Sequence, residues 1–454
     1  MKVPWGDGDW RHVVVYGLGV SGQAAARFLA ARGVAVTALD RRPLAELDLA
    51  GLPEAVRLAL GCEPETLPAG TDGVVVSPGV PADRALLAAA RRAGVPVVAE
   101  VELGFAFANG PVVGITGSNG KSTTTALTGA LLRACGHPAE VCGNIGLPLT
   151  ACVEGEPGRV FVTELSSFQL EAIDTFRPRA AALLNLSPDH LDRHGDVDAY
   201  LTAKQALFRN QGADDLAVLN ADDPLVAATV TRSRRRFFSR RQAVADGCRL
   251  DGDRVVETAP GEPPAELFGR DEVPLPGPHN LENAMAAALL CRALGGAAEG
   301  IRAGLTSFRG LPHRLQEVGR RGGVIWYDDS KGTNLAATLR SLESFSEGSV
   351  HLILGGRHKG ADPAVLAGAV RRRARRLYLI GEAAPVFEHA LAGAAPIERA
   401  GDLERAVALA AAAARPGEVV LLSPACSSFD QYRNYIERAE HFQRLVAELG
   451  DVDG

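Results

Sequence analysis

The run Thr116-Gly117-Ser118-Asn119-Gly120-Lys121-Ser122-Thr123 carries the strongest chemical signal in the chain. It joins an apolar segment, Val112–Thr116, to a helical one, Lys121–Cys135. Glycines expose backbone N–H groups to phosphate oxygens, Lys121 supplies charge, and the hydroxyl of Ser122 or Thr123 can ligate Mg²⁺. The strict GxxxxGK[ST] spacing would put its first glycine at Ile115, so the pattern is a variant. Strand–loop–helix context carries the reading of a phosphate-binding loop. A second glycine-rich turn, Gly17-Leu18-Gly19-Val20-Ser21-Gly22, also follows an apolar strand and opens a helix, and Asp40 ends the next strand. That is the dinucleotide fingerprint in its required setting. It specifies a nucleotide diphosphate better than it specifies nicotinamide.

Further candidates cluster at the carboxyl ends of expected strands, where open α/β sheets bind ligands. Glu164 ends Val160–Thr163, and Asp189 and His190 follow Ala180–Asn185. A carboxylate and an imidazole there can complete the shell of a divalent ion on ATP phosphates; a surface Glu and a helix-capping Asp are the plainer reading. Three polar turns follow later strands: Asp328–Asn334, Gly355–Lys359 and Ser423–Phe429. Together they suit a small dianion, such as an amino acid with two carboxylates. Only five of the 48 basic residues are lysine: Lys2, Lys121, Lys204, Lys331 and Lys359. Arginine is bulky and always charged, so the remaining lysines are expected where arginine cannot substitute. Lys204 lies in the helical segment Asp198–Asn210, on the same stripe as Tyr200, Leu207 and Phe208. An inward lysine ordinarily snorkels to water. Alternatively, burial disfavours its charged form, and the neutral amine takes up CO₂ as a carbamate, an anionic metal ligand.

The elements that position these residues alternate strand and helix in three stretches. Strands are expected at Val13–Tyr16, Ala35–Asp40, Gly73–Ser77 and Val95–Ala99, with helices Ser21–Ala31 and Asp83–Ala93. A second series runs Val112–Thr116, Val160–Thr163, Ala180–Asn185 and Leu216–Leu219, and helix Leu281–Leu294 closes it. The third comprises Val324–Tyr327, His351–Leu354, Leu377–Ile380 and Val419–Leu422. Such alternation implies parallel sheets. Residues 232–276 differ: six arginines in 232–241, then Gly/Pro-rich turns, read as loops and short antiparallel strands with a solvated basic face. The expected class is therefore α/β with three domains, 1–99, 100–310 and 311–454. The outer two are Rossmann-like and the central one is a phosphate-loop ATPase with a mainly parallel sheet.

At 454 residues, roughly 150 per domain also suggests about three domains. A net charge of −6 advertises neither nucleic acid nor an anionic membrane as partner. No apolar run reaches the ~18–20 residues of a membrane span. The N-terminus carries no basic-then-apolar leader pattern. Seven cysteines without a CxxC pair are expected as reduced core residues of a cytoplasmic protein.

Taken in order, these motifs resemble the Mur ligase family of peptidoglycan precursor synthesis. The similarity runs along essentially the whole chain, through Val15–Gly22, Gly114–Thr124, Gly143–Gly146, Glu164–Leu170, Asp189–Arg193, Lys204, His279–Asn283, Gly310–Arg314, Asp329–Asn334, Gly355–Lys359 and Ser423–Asn434. The branch most similar adds D-glutamate to UDP-N-acetylmuramoyl-L-alanine with ATP, through an acyl phosphate. The resemblance implies that Ser21, Asp40 and Arg42 hold the uridine and Asn144 the sugar-peptide. It places the ATP phosphates on Gly117, Ser118, Asn119, Gly120, Lys121, Ser122 and Thr123. It gives two Mg²⁺ sites to Ser122, Glu164, His190 and a carbamylated Lys204, with Lys121, His190 and Lys204 catalytic. Asn280 and Asn283 would meet adenine, and Arg314 and Asp329 would close over the nucleotide. Thr333, Lys359 and Ser428 would hold D-glutamate. It also implies a cytoplasmic monomer whose only partners are small molecules. Three departures touch loop detail: Gly332 for the usual Ala, Gln316 for the frequent Glu, and Arg357-His358 before Lys359. The sister ligases carry a Tyr-Ala-His-type motif where this chain has Asp328–Lys331. An NAD-dependent oxidoreductase would explain Gly17–Gly22 but not Lys121, and a regulatory ATP-binding module would not explain the third stretch.

Overall fold

A computed structural model describes residues 1–6, 8–188 and 191–449. The expected site residues Asp189 and His190 lie outside the described residues. Among the described residues, twenty strands form three sheets: β1 (His12–Tyr16), β2 (Ala35–Asp40), β3 (Arg57–Leu60), β4 (Gly73–Val76), β5 (Val97–Ala99), β6 (Val112–Thr116), β7 (Ala139–Gly143), β8 (Val160–Glu164), β9 (Ala180–Leu183), β10 (Leu216–Asn220), β11 (Arg234–Ser239), β12 (Gly247–Asp251), β13 (Arg254–Thr258), β14 (Ala265–Gly269), β15 (Gln316–Arg321), β16 (Val324–Asp328), β17 (Val350–Gly355), β18 (Ala374–Ile380), β19 (Ile397–Gly401) and β20 (Val419–Leu422). The first sheet has the order β3-β2-β1-β4-β5 and is parallel throughout. The second runs β14-β13-β12-β11-β10-β9-β6-β8-β7, antiparallel only from β12 to β14. The third runs β15-β16-β20-β17-β18-β19, antiparallel only between β15 and β16. The chain is thus mixed α/β with mostly parallel sheets.

By packing, the described residues form two compact units: residues 1–272 with 282–307, and residues 273–281 with those from 308 onward. The first unit contains two sheets because they share one core. Val13, Val36 and Val98 from the first sheet belong to the same buried cluster as Val112, Phe161 and Leu183 from the second.

Central strands follow from composition. Val13–Val15 and Val112–Ile115 are runs buried on both faces, as parallel strands require. The Ala-rich β9 has little intrinsic β preference; its place between β6 and β10 decides it. Strands β3, β7, β15 and β19 were not expected. Each is polar or short and lies at a sheet edge, where neither an apolar run nor alternation marks it. The reading of 232–276 needs correction as well. Its first strand, β11, joins the main sheet in parallel beside β10. Arg236 within it is buried, so the basic run is not wholly solvated. The cysteines are free, but Cys62 is exposed and Cys135 partly so, against the expectation that all are core residues.

Register brings the candidate residues to one edge. Ile115 pairs with Glu164, Thr116 with Leu183, and Gly143 with Glu164, so the loops after β6, β7, β8 and β9 leave together. In the third sheet Asp328 and Ile353 both pair with Leu422, which gathers the three polar turns at one edge of that unit.

Glu100 starts the helix Glu100–Ala106 and is fully enclosed. Its Oε1 accepts the Thr150 N–H and hydroxyl, both at 2.7 Å, while its Oε2 has no partner. Burial pushes its pKa up to about 7. A raised folded-state value means the neutral acid supports the fold below the ordinary glutamate range. That support is lost as pH rises through about 7. Glu100→Gln stays neutral at every pH. Between pH 4.5 and 8 the wild type should therefore lose roughly 3 kcal/mol relative to this variant. Urea unfolding across that range checks it; parallel stability curves would contradict it.

Candidate active site

The phosphate loop turns on two glycines. Gly117 and Gly120 take φ of 157° and 80°, and a Cβ on Gly120 would stand 2.4 Å from Asn283 Oδ1. Only glycine fits that approach. Lys121 Nζ donates to the carbonyls of Gly117 (2.9 Å) and Ser118 (3.0 Å), curling over the loop. The helix Lys121–Ala134 begins here with no acidic residue in its first turn, so its amino end is open to an anion. Asn185, which the sequence reading did not single out, braces the loop. Its Oδ1 accepts Asn119 N–H at 2.9 Å and its Nδ2 donates to Asn119 O at 3.1 Å. Its position just beyond β9 was the available signal. Asn283 accepts the Thr124 hydroxyl at 3.2 Å, which ties its helix to the loop's.

Glu164 is buried beside this loop. Its Oε1 accepts Asn144 Nδ2 at 2.7 Å, and its Oε2 is enclosed without a hydrogen-bond partner. A buried carboxylate oxygen left unmatched is costly, and a hard cation satisfies it. Glu164 and the buried Ser122 hydroxyl are thus suited to Mg²⁺. Among the described residues, no group of three His, Cys, Asp or Glu could hold a metal by itself.

Lys204 does not run out to water. It lies in the last turn of the helix Val197–Gln205, which gives way to a tighter turn at Ala206–Phe208, and it is 1% exposed. Its Nζ donates to Gly117 O at 2.9 Å and lies 4.4 Å from the centre of the Tyr200 ring. The amine therefore reaches the same loop carbonyl as Lys121.

The glycine-rich turn after β1 opens on a cavity of about 530 Å³. Ser21, Asp40, Arg42 and Asn144 all line it. Gly17 has φ 89°, and a Cβ on Gly22 would sit 1.8 Å from Gly17 O, so helix and turn pack too closely for a side chain. Asp40 Oδ2 accepts Leu18 N–H (2.7 Å) and Arg42 Nη2 (2.8 Å); its Oδ1 accepts Arg42 N–H (2.9 Å) and Nε (3.0 Å). The Arg42 guanidinium foremost holds this carboxyl down to about 2. Four accepted bonds fill the carboxylate. Glu63 and Arg84 also line the cavity, without any motif to mark them.

In the second unit, Lys359 Nζ donates to the Thr333 hydroxyl at 3.3 Å, so the turns after β16 and β17 meet as expected, and Ser428 is buried after β20. Asp329 is enclosed within this unit. It accepts the hydroxyls of Ser341 and Ser423, both at 2.7 Å, and Leu315 N–H at 3.2 Å. Burial raises its pKa to about 6. Arg314 precedes Leu315, and Asn280 Nδ2 donates to Pro276 O at 2.7 Å. His313, Leu315 and Ala425 have φ of 61°, 46° and 58°, left-handed conformations that non-glycine residues adopt at a cost. Buried Arg438 links two of the turns by donating to Ser330 O (2.9 Å) and Cys426 O (3.4 Å). One more arginine on a charged helix gave no sequence signal for that role.

Comparison with known proteins agrees with this layout. Residues 11–99 match the model described as Mur ligase MurD-like, N-terminal domain. Residues 115–291 match the Mur ligase middle domain, and 313–426 the Mur ligase, glutamate ligase domain. The UDP-N-acetylmuramoylalanine–D-glutamate ligase of Anaeromyxobacter dehalogenans is 48% identical, covering 96% of this chain and 97% of that protein. The enzyme of the same name from Geotalea daltonii is 45% identical, covering 98% of each. The fold is similar to that of the UDP-N-acetylmuramate–alanine ligase of Thermotoga maritima, with a TM-score of 0.62 at 18% identity over 97% of this chain and 100% of that one.

Proposed function

The chain belongs to the Mur ligase family, and from that premise we propose that it joins D-glutamate to UDP-N-acetylmuramoyl-L-alanine at the expense of ATP, as a step of peptidoglycan precursor synthesis. One observation carries the reading. Asn144 lines the nucleotide-diphosphate cavity and at the same time donates to Glu164 at the phosphate-loop edge. A sugar nucleotide in that cavity is thereby handed to the edge where ATP phosphates bind.

Chemically, the alanyl carboxylate attacks the γ-phosphorus, the bond to the ADP oxygen breaks, and an acyl phosphate forms. Lys121 and the loop N–H groups stabilise charge developing on the phosphoryl oxygens. The D-glutamate amine then attacks the acyl carbon, phosphate leaves, and an amide remains. Mg²⁺, when bound, supplies further charge neutralisation, with Ser122, Glu164 and His190 as its holders. Lys204, carbamylated, would provide an anionic oxygen to a second Mg²⁺. Thr333, Lys359 and Ser428 would take the carboxylates of D-glutamate, and Asn280, Asn283 and Arg314 would serve the nucleoside of ATP; Asp329, enclosed by Ser341, Ser423 and Leu315, does not reach the nucleotide as expected but would position the Arg314 turn. We read the enzyme as a cytoplasmic monomer; no helix among the described residues is long and apolar enough to cross a membrane.

The test is a substrate matrix: several amino acids against several UDP-linked acceptors, read as phosphate release. Release should require both D-glutamate and the alanyl acceptor. Ser428→Ala should raise KM for D-glutamate by about tenfold and leave KM for ATP nearly unchanged, the scale of one hydrogen bond to a charged group. Release with another amino acid at equal efficiency would contradict the assignment.

A further inference from the structure

The arginine run at 232–241 takes no part in the ligase reading. Two of its members, Arg234 and Arg236, line a cavity of about 500 Å³ together with Arg179 and Arg292. The cavity lies at the amino-terminal ends of β9, β10 and β11, where Arg179, Asp215 and Arg234 precede or begin their strands. In a parallel sheet this is the edge opposite the one that carries the phosphate loop.

Charge is layered here. Three carboxylates lie below, each shared by two guanidinium groups. Asp215 is held by Arg177 (2.7 Å) and Arg179 (3.4 Å). Asp246 is held by Arg234 and Arg236, both at 2.8 Å, and Glu257 by Arg236 (2.8 Å) and Arg292 (3.0 Å). These acids are 3%, 19% and 16% exposed, whereas Arg179, Arg234 and Arg292 are 50%, 57% and 37% exposed. Asp214, on the rim, is the one lining acid at the surface. Five guanidinium groups thus meet three sunken carboxylates, and the layer facing solvent is cationic in a chain of net charge −6. Arg179, Arg234 and Arg292 thus face solvent above their acids, and the guanidinium fork matches phosphate oxygens two at a time.

We propose that this cavity binds a small phosphate-bearing polyanion, at a site separate from the phosphate loop. Its volume falls within the range of small-molecule sites. A single phosphate would engage one or two forks; a diphosphate or longer group can span Arg179, Arg234 and Arg292.

Arg234 and Arg292 are the residues to change. Each shares its acid with Arg236, so removing them strands no buried carboxylate, as loss of Arg236 would. The probe is inorganic pyrophosphate, titrated calorimetrically into the full-length protein. Lys121→Ala protein, weakened at the phosphate loop, should still bind pyrophosphate in this cavity as well as at the Gly17–Gly22 turn, less tightly as salt is raised. Adding Arg234→Ser and Arg292→Ser should weaken the binding in this cavity by at least about tenfold, the scale of lost charged hydrogen bonds. Lysine at both positions should restore part of it. In the Lys121 background alone, disappearance of all binding overturns the proposal. So does a titration that the two serine substitutions leave unchanged. The double serine variant with Lys121 intact should keep wild-type ligase rates without pyrophosphate, which confirms that the fold survives.

Discussion

Lys121→Ala should lower kcat/KM by about 10³ or more, the loss expected when a preorganised charge facing a transferring phosphoryl group is removed. The ammonium already curls over the loop, donating to Gly117 and Ser118 carbonyls at 2.9 and 3.0 Å. In the proposed function this places it beside the path of the phosphates before any nucleotide arrives. Stability should change far less than activity. The Gly117 carbonyl also accepts from Lys204, so it keeps a partner when the Lys121 ammonium is lost. Steady-state phosphate release and thermal unfolding, measured on one preparation, separate the two effects. Near-wild-type turnover in the alanine variant would remove Lys121 from the chemistry. Comparable losses of stability and activity would make it a structural brace.

The same loop marks where reading from sequence succeeds and where it stops. Val112–Thr116, the glycines and Lys121 announce themselves because a buried parallel strand, a tight turn and a helix start each have local chemical requirements. Asp40 was legible for the same reason, as an acid at the end of the strand that follows a glycine-rich turn. What could not be read is how that acid is used. Its four accepted bonds come from Leu18 and Arg42, and the geometry of Arg42 is not written in any spacing. Asn185 and Arg438 brace loops through contacts that only the tertiary fold creates. The merging of the first two sheets into one unit is also invisible in a linear pattern. It depends on shared packing among residues as distant as Val13 and Leu183. Edge strands such as β7 were missed because their composition answers to a single neighbour rather than two.

Lys204 joins the two kinds of information. The sequence marks it as one of five lysines, on an apolar stripe. The structure encloses it against the Tyr200 ring, with its amine on the Gly117 carbonyl. In the proposed function this amine, once neutral, would add to CO₂ to give a carbamate and a released proton. The carbamate nitrogen would keep one N–H, enough to retain the bond to Gly117. Its new carboxylate would be an anionic oxygen ligand that neither arginine nor an ammonium can supply. Lys204→Ala should therefore lower kcat by about 10³ or more, comparable with loss of a major electrostatic contact. Circular dichroism should show the fold intact. Acetate or formate should restore part of the rate by entering the vacated space. Lys204→Arg should be equally inactive and should not respond to either acid. In the wild type, ¹³C-labelled bicarbonate should give a carbamate resonance that is absent from both variants. A fully active Lys204→Arg enzyme would end the argument. So would a wild type that shows no carbamate signal while turning over normally.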